Sequence, residues 1–373
     1  MAGDLPPRTG RALAGSLPND DIADATLITD LLRHKTPLDP YSDKGMHRVE
    51  SRPRLSTLPL KSTYGGHAMR RFLVPAALAI AALGLTAPPA AAAFPGSNGR
   101  LAYDNGLHIF TVTPGGADRT KLSDERDVES AFSPDGSRLA FSHLVDDGTG
   151  LLYGDIWVMD ADGSHRVPVT SGPADDRGPA WTSDGSRIVF TRNPDPNGFG
   201  VNDIWIADAD GSPQAALTNT RASEVDPEPS PLGDRIVYTR GGDIWTMAAN
   251  GRDRSPLVTS DVNEYNPSWS PSGGRIVYQA CPAGPDFSAT CEIYSVKSDG
   301  GGRLRLTNND LFDGEPAYSP DGQRIAFAAS RPRKQVPSLT KEGILTMGRF
   351  GGDERRVTGT FGYAHGNPSW QPR

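Results

Sequence analysis

Six positions in this 373-residue chain share one spacing: Asp127, Asp176, Glu224, Glu264, Asp313 and His365 each stand five residues before Phe132, Trp181, Pro229, Trp269, Tyr318 and Trp370. Two residues further on, the same comparison reads Glu129, Gly178, Asp226, Asn266, Glu315 and Asn367. Carboxylates gathered in this number would hold a hard cation such as Ca²⁺ through oxygen ligands, or attract basic peptide segments by their field. His365 departs from the acidic pattern and, facing Asp127 and Asp313, would act as a metal ligand or an acid/base. A carboxylate that recurs in every copy has a second use: accepting backbone N–H bonds, or pairing with a recurring arginine, inside its own repeat.

The elements that must position these residues are themselves repeated. "SPDGSRLAF" (133–141) returns as "TSDGSRIVF" (182–190), "SPLGDRIVY" (230–238), "SPSGGRIVY" (270–278) and "SPDGQRIAF" (319–327). Asp-Gly between short apolar, β-branched runs is a tight-turn signal, so each copy reads as a hairpin. A third strand follows in "DIWVMDADG" (155–163) and its counterparts, and a fourth closes at Thr170, Thr218, Thr259, Thr307 and Thr358. The second strand occurs six times, opening at Arg100, Arg138, Arg187, Arg235, Arg275 and Arg324. The copy at Arg100 lacks a first strand, and that strand stands at the other end of the chain in "GNPSWQPR" (366–373).

A unit of about 47 residues with four strands, one copy split between the termini, predicts an all-β six-bladed β-propeller. The C-terminal first strand is expected to pair with N-terminal strands two to four. The 42 glycines and 33 prolines suit such turn-rich architecture.

The repeat x-P-x-W-S-P-D-G-x-R-I-V-F, D-I-W-x-M-x-x-D-G, L-T resembles that of the TolB-like, WD40-like propellers, related to the propeller domains of prolyl-oligopeptidase-type proteins. The resemblance covers residues 97–373. It implies an envelope or extracytoplasmic propeller that binds another protein. No Gly-x-Ser-x-Gly nucleophile elbow occurs, so serine-peptidase chemistry is not expected.

Residues 69–93 read as a secretory signal: Arg70 and Arg71, an apolar run from Phe72 to Leu85, and Ala-x-Ala ending at Ala93. Residues 1–68 have no repeat or packing pattern and read as a misassigned or disordered extension, leaving 94–373 as the propeller. The apolar run is short of the roughly 20 residues a membrane span needs. The expected product is exported, whether secreted, periplasmic or envelope-associated. Cys281 and Cys291 lie at the two ends of one hairpin loop, and a disulfide is expected there. Eleven of the 38 basic and eight of the 45 acidic residues precede residue 94, leaving the propeller at −10. Nucleic acid and anionic membrane are poor partners for that charge.

In a propeller the first strand of each blade lines the central channel, and the loop leading into it shares a face with the loop joining strands two and three. Those loops are long in blades one, two, four and five, and variable loops on a rigid ring are where binding specificity resides. Tyr153 and Phe199 are the loop aromatics placed to meet a ligand, and Arg331, Arg333, Lys334 and Lys341 give the blade-five loop a basic character. Trp157, Trp205, Trp245 and Tyr294 recur in the third strand and are expected to pack between blades. Two functions remain open: a binding scaffold for an envelope or extracellular protein or a glycan, and a metal-dependent hydrolase or lyase with its site at the acidic channel mouth.

Overall fold

The computed structural model describes residues 95–373 except 147, 149–151, 196–199, 283–289, 310, 333–339 and 360–365. His365, Phe199, Arg333 and Lys334 lie outside the described residues, as do residues 1–94. The described strands form six four-stranded antiparallel sheets. Blades one to five begin at Asp127–Phe132, Asp175–Trp181, Glu224–Pro229, Asn263–Trp269 and Asp313–Tyr318. Blade six takes Gly366–Pro372 as its first strand, and Asn98–Asp104, Ile109–Val112 and Thr120–Lys121 as its second to fourth. Trp370 pairs with Leu101 across that closure, and the backbones of Ser97 and Arg373 exchange hydrogen bonds at 2.9 and 3.1 Å.

The apolar side chains collect between blades. Six clusters each join two neighbours, such as Ile156, Val158 and Trp181 between blades one and two, or Leu101, Phe110 and Ala328 between five and six. A blade alone therefore has no buried core, and ring closure is a condition of burial.

Each recurrent residue has a local task. In the first hairpin the Ser133 hydroxyl accepts the Arg138 N–H at 3.0 Å, repeated by Thr182, Ser270 and Ser319. The threonine closing strand four accepts the N–H of the strand-three isoleucine at 2.8 Å in Thr170–Ile156, Thr218–Ile204, Thr307–Ile293 and Thr358–Ile344. The Pro-x-Gly of the hairpin works between blades. Pro134 lies 3.4 Å from where a Cβ on Gly185 would stand, and Pro271 takes the same place against Gly322 at 3.6 Å.

The hairpins joining strands one and two, the turns joining strands three and four, and both ends of the propeller share one face, the underside. The opposite face carries the channel mouth. Blades one and five extend toward it, because strands two and three stay paired out to Asp146↔Leu152 and Pro332↔Thr340. Much of the expected long loop in blades one and five is thus a two-stranded arm. Tyr153 stands on the blade-one arm opposite Val145, and Arg331 is in register with Lys341 on the other. Cys281 and Cys291 form a disulfide with Cα atoms 4.2 Å apart.

Candidate functional site

The acidic residues sort into two layers with different work. Asp127, Asp176, Glu224, Glu264 and Asp313 are at most 1% exposed, and none lines the channel. Their position at the channel mouth is corrected by a β-bulge: in every first strand the pairing shifts register just after these residues, turning them into the blade.

There each carboxylate is held locally. Asp127 accepts Arg166 at 2.7 Å and His143 at 2.8 Å. Burial pushes its carboxyl up, but the His143 and Arg166 hydrogen bonds outweigh burial and hold it below the usual range. Asp176 takes Arg192 at 2.6 Å, Glu224 meets Thr220 at 3.1 Å, and Asp313 accepts Asn309 at 2.7 Å. Glu264 accepts the Ser260 hydroxyl and faces Arg303. The arginines that pair with these buried acids are not those that open strand two; of the latter, Arg235 and Arg324 bond the strand-three threonines Thr246 and Thr346, and Arg324 also meets Asp353 in the turn that follows. Instead Arg192, Arg240 and Arg303 lie 4.5–4.7 Å above the rings of Trp205, Trp245 and Tyr294, so the recurrent aromatics carry cations on their faces.

The second layer lines the channel, a cavity of about 570 Å³. Glu129, Gly178, Asp226, Asn266, Glu315 and Asn367 all have φ between 48° and 58°. This left-handed conformation at the bulge turns the N–H of five of the six sideways, to an acceptor in the preceding blade. Gly178 donates to Glu129 at 2.9 Å, Asn266 to Asp226 at 3.3 Å and Asn367 to Glu315 at 2.7 Å. Glu129 donates to Asp104 at 3.0 Å and Glu315 to Gln279 at 2.8 Å.

These bonds expose an alternation. Carboxylates stand in blades one, three and five, while Gly178, Asn266 and Asn367 stand in two, four and six. The even blades also carry Trp181, Trp269 and Trp370, whose indole N–H bonds reach back to Ala131, Glu228 and Ala317 at 3.0–3.3 Å. The ring is three two-blade units. One oxygen of each odd-blade carboxylate braces the next blade, and the other makes no hydrogen bond to a described residue.

Burial, joined by the proximity of other carboxylates, raises Glu315, Asp226 and Asp104. Burial lifts Glu315 to about 7, helped by Asp104, Glu129 and Asp226 and opposed by the Asn367 N–H. Asp226 and Asp104 rise to about 6 for the same reason, burial outweighing the N–H bonds of Asn266 and Glu129. Deeper in the channel Glu228 is lifted to about 8 by burial alone. Its counterparts are Ala131, Ala180, Ser268, Ala317 and Ser369, so Glu228 is a single acid on an otherwise small-residue level. Asp104 and Glu228 escaped sequence reasoning. The signal for Glu228 was its departure from the small residues at that repeat position.

Among the described residues, the group whose possible ligand atoms lie within 4.8 Å of one another is Glu125, Asp127 and His143. Arg166 donates to both carboxylates at 2.7–2.8 Å and supplies the positive charge there. Among the described residues the channel carboxylates form no such group.

Fold and channel together define a six-bladed β-propeller with an acidic, threefold-patterned channel. Residues 115–287 match the family model of the TolB beta propeller domain, and the propeller is TolB-like. Similar solved structures include TolB from Acinetobacter baumannii, at 19% identity and a TM-score of 0.59, covering 74% of this chain and 67% of that one. A putative TolB from Agrobacterium tumefaciens has 20% identity and a TM-score of 0.54, over 72% of this chain and 92% of its own. Hydrazine synthase from Kuenenia stuttgartiensis has 15% identity and a TM-score of 0.60, over 77% of this chain and 50% of its own. At such identities the likeness is one of fold.

Proposed function

We propose that the chain is an exported binding propeller, secreted or envelope-associated, that grips a protein partner with its channel-mouth face. The carrying observation is the ring of Glu129, Asp226 and Glu315, each with one oxygen bracing the frame and one left toward the channel. That arrangement offers preorganised acceptors to a lysine or arginine side chain entering along the axis. The paired arms of blades one and five flank blade six on the same face and add contact surface. The TolB resemblance and the leader-like run at 69–93 support export and a protein partner.

The test compares the unaltered chain with Glu129→Gln/Asp226→Asn/Glu315→Gln as bait in cell-envelope extract at low and high salt. Amides keep the acceptors that brace the blades, so the variant should fold yet lose at least tenfold in capture, with the unaltered chain weakening at high salt. Equal capture by both at low salt would refute the channel-mouth assignment.

A further inference from the structure

A second concavity, of about 450 Å³, opens on the underside between blades four and five. Its walls include Pro271, Tyr318, Pro320, Asp321, Arg349 and Phe350. The last two occupy a turn that other blades build differently. Asp162, Asp210, Asn250 and Asp299 hold the place of Phe350, and each accepts the N–H two residues on at 2.8–3.2 Å. Phe350 gives up that bond and leaves its ring 65% exposed, the most exposed large apolar side chain among the described residues. Forfeiting a turn bond and baring an aromatic both cost stability, and a ligand on the ring recovers the second cost.

Charge narrows the ligand. The Arg349 guanidinium sits 4.7 Å over the Phe350 ring and makes no ion pair among the described residues. Arg275, also in the wall, is committed to Ser295 at 2.8 Å and Gly302 at 2.9 Å. Both guanidiniums act on the buried Tyr318 phenol, whose ionisation burial opposes. The exposed Asp321 carboxylate accepts Ser319 and the Gln323 N–H at 2.6 and 2.9 Å on one oxygen and Asn98 at 3.0 Å on the other, which leaves that second oxygen one further acceptor site. The groove thus presents an apolar trough, one uncommitted cation and one acceptor.

We propose that this groove captures the C-terminal end of a protein chain, its apolar last side chain lying between Phe350, Tyr318 and the two prolines and its carboxylate on Arg349. Asp321 would accept a peptide N–H of the same segment, a donor that a fatty acid lacks. The site is on the face opposite the channel mouth and independent of the function proposed for that face.

The probe is acetyl-Ala-Ala-Phe with a free carboxylate, titrated by calorimetry into the full chain beside its C-terminal amide and decanoate. The free acid should bind at least tenfold tighter than the amide. Arg349→Gln should abolish that difference, Arg349→Lys restore part of it, and Phe350→Ser weaken the acid about tenfold. Both side chains are exposed, so a thermal midpoint no lower than that of the unaltered chain verifies that the variants fold. No binding of the acid, equal binding of acid and amide, indifference to Arg349→Gln, or Arg349-dependent decanoate binding as tight as the peptide's would each overturn the proposal.

Discussion

Glu228 shows how one side chain in the wrong company changes the behaviour of a ring. Burial of its carboxyl, which has no hydrogen-bond partner among the described residues, lifts it to about 8, so its protonated form is the one the fold prefers. Stability from such a group is complete below the unfolded value and is lost as pH rises through the folded one. With Asp226 near 6 and Glu315 near 7, the channel should destabilise the protein progressively from about pH 5 to 8. Glu228→Gln removes the share of that loss that Glu228 contributes, which accumulates from its unfolded value up to about 8. We expect it to raise stability at pH 8 by about 1–2 kcal/mol and to leave pH 5 nearly unchanged, read by urea titration at both.

Between blades, the hairpins behave as interlocking parts. Gly136 has φ of 68°, and a Cβ there would run into the Pro372 carbonyl of the neighbouring blade. Gly106 has φ of 81° with nothing within 4 Å. Both pay for a positive φ on substitution, but only the first also displaces a neighbour. Gly136→Ala should cost about 2–4 kcal/mol and Gly106→Ala about 1 kcal/mol in urea midpoint measurements. Equal costs would show that the hairpin does not brace the next blade. The disulfide closes a short loop, with a sequence separation of 10, and losing it in Cys281→Ser/Cys291→Ser should cost about 2–3 kcal/mol.

For the whole ring, burial depends on closure. Trp370 is 4% exposed, packs in the cluster joining blades five and six, and donates to Ala317. Removing residues 366–373 strips blade six of its first strand and opens two inter-blade cores at once. The shortened chain should lose its cooperative thermal transition by circular dichroism, whereas Trp370→Ala should keep the transition and lose about 3–5 kcal/mol. A cooperative transition in the shortened chain would mean that five blades suffice.

The repeat phrase alone determined the six blades, the split closure and the position of Cys281 opposite Cys291. These follow from local turn chemistry and from counting, and neither requires knowledge of neighbours in space. The acids at Asp127, Asp176, Glu224, Glu264 and Asp313 were visible as a recurring feature, but their destination was not. A strand read by alternation cannot reveal a bulge, and the bulge decides which acid turns into the blade and which faces the channel. The three two-blade units are equally a tertiary result. They arise because an indole N–H in one blade needs a carbonyl in the blade before it, and a carboxylate in that blade needs an N–H in the next. Only a closed ring brings those donors and acceptors face to face.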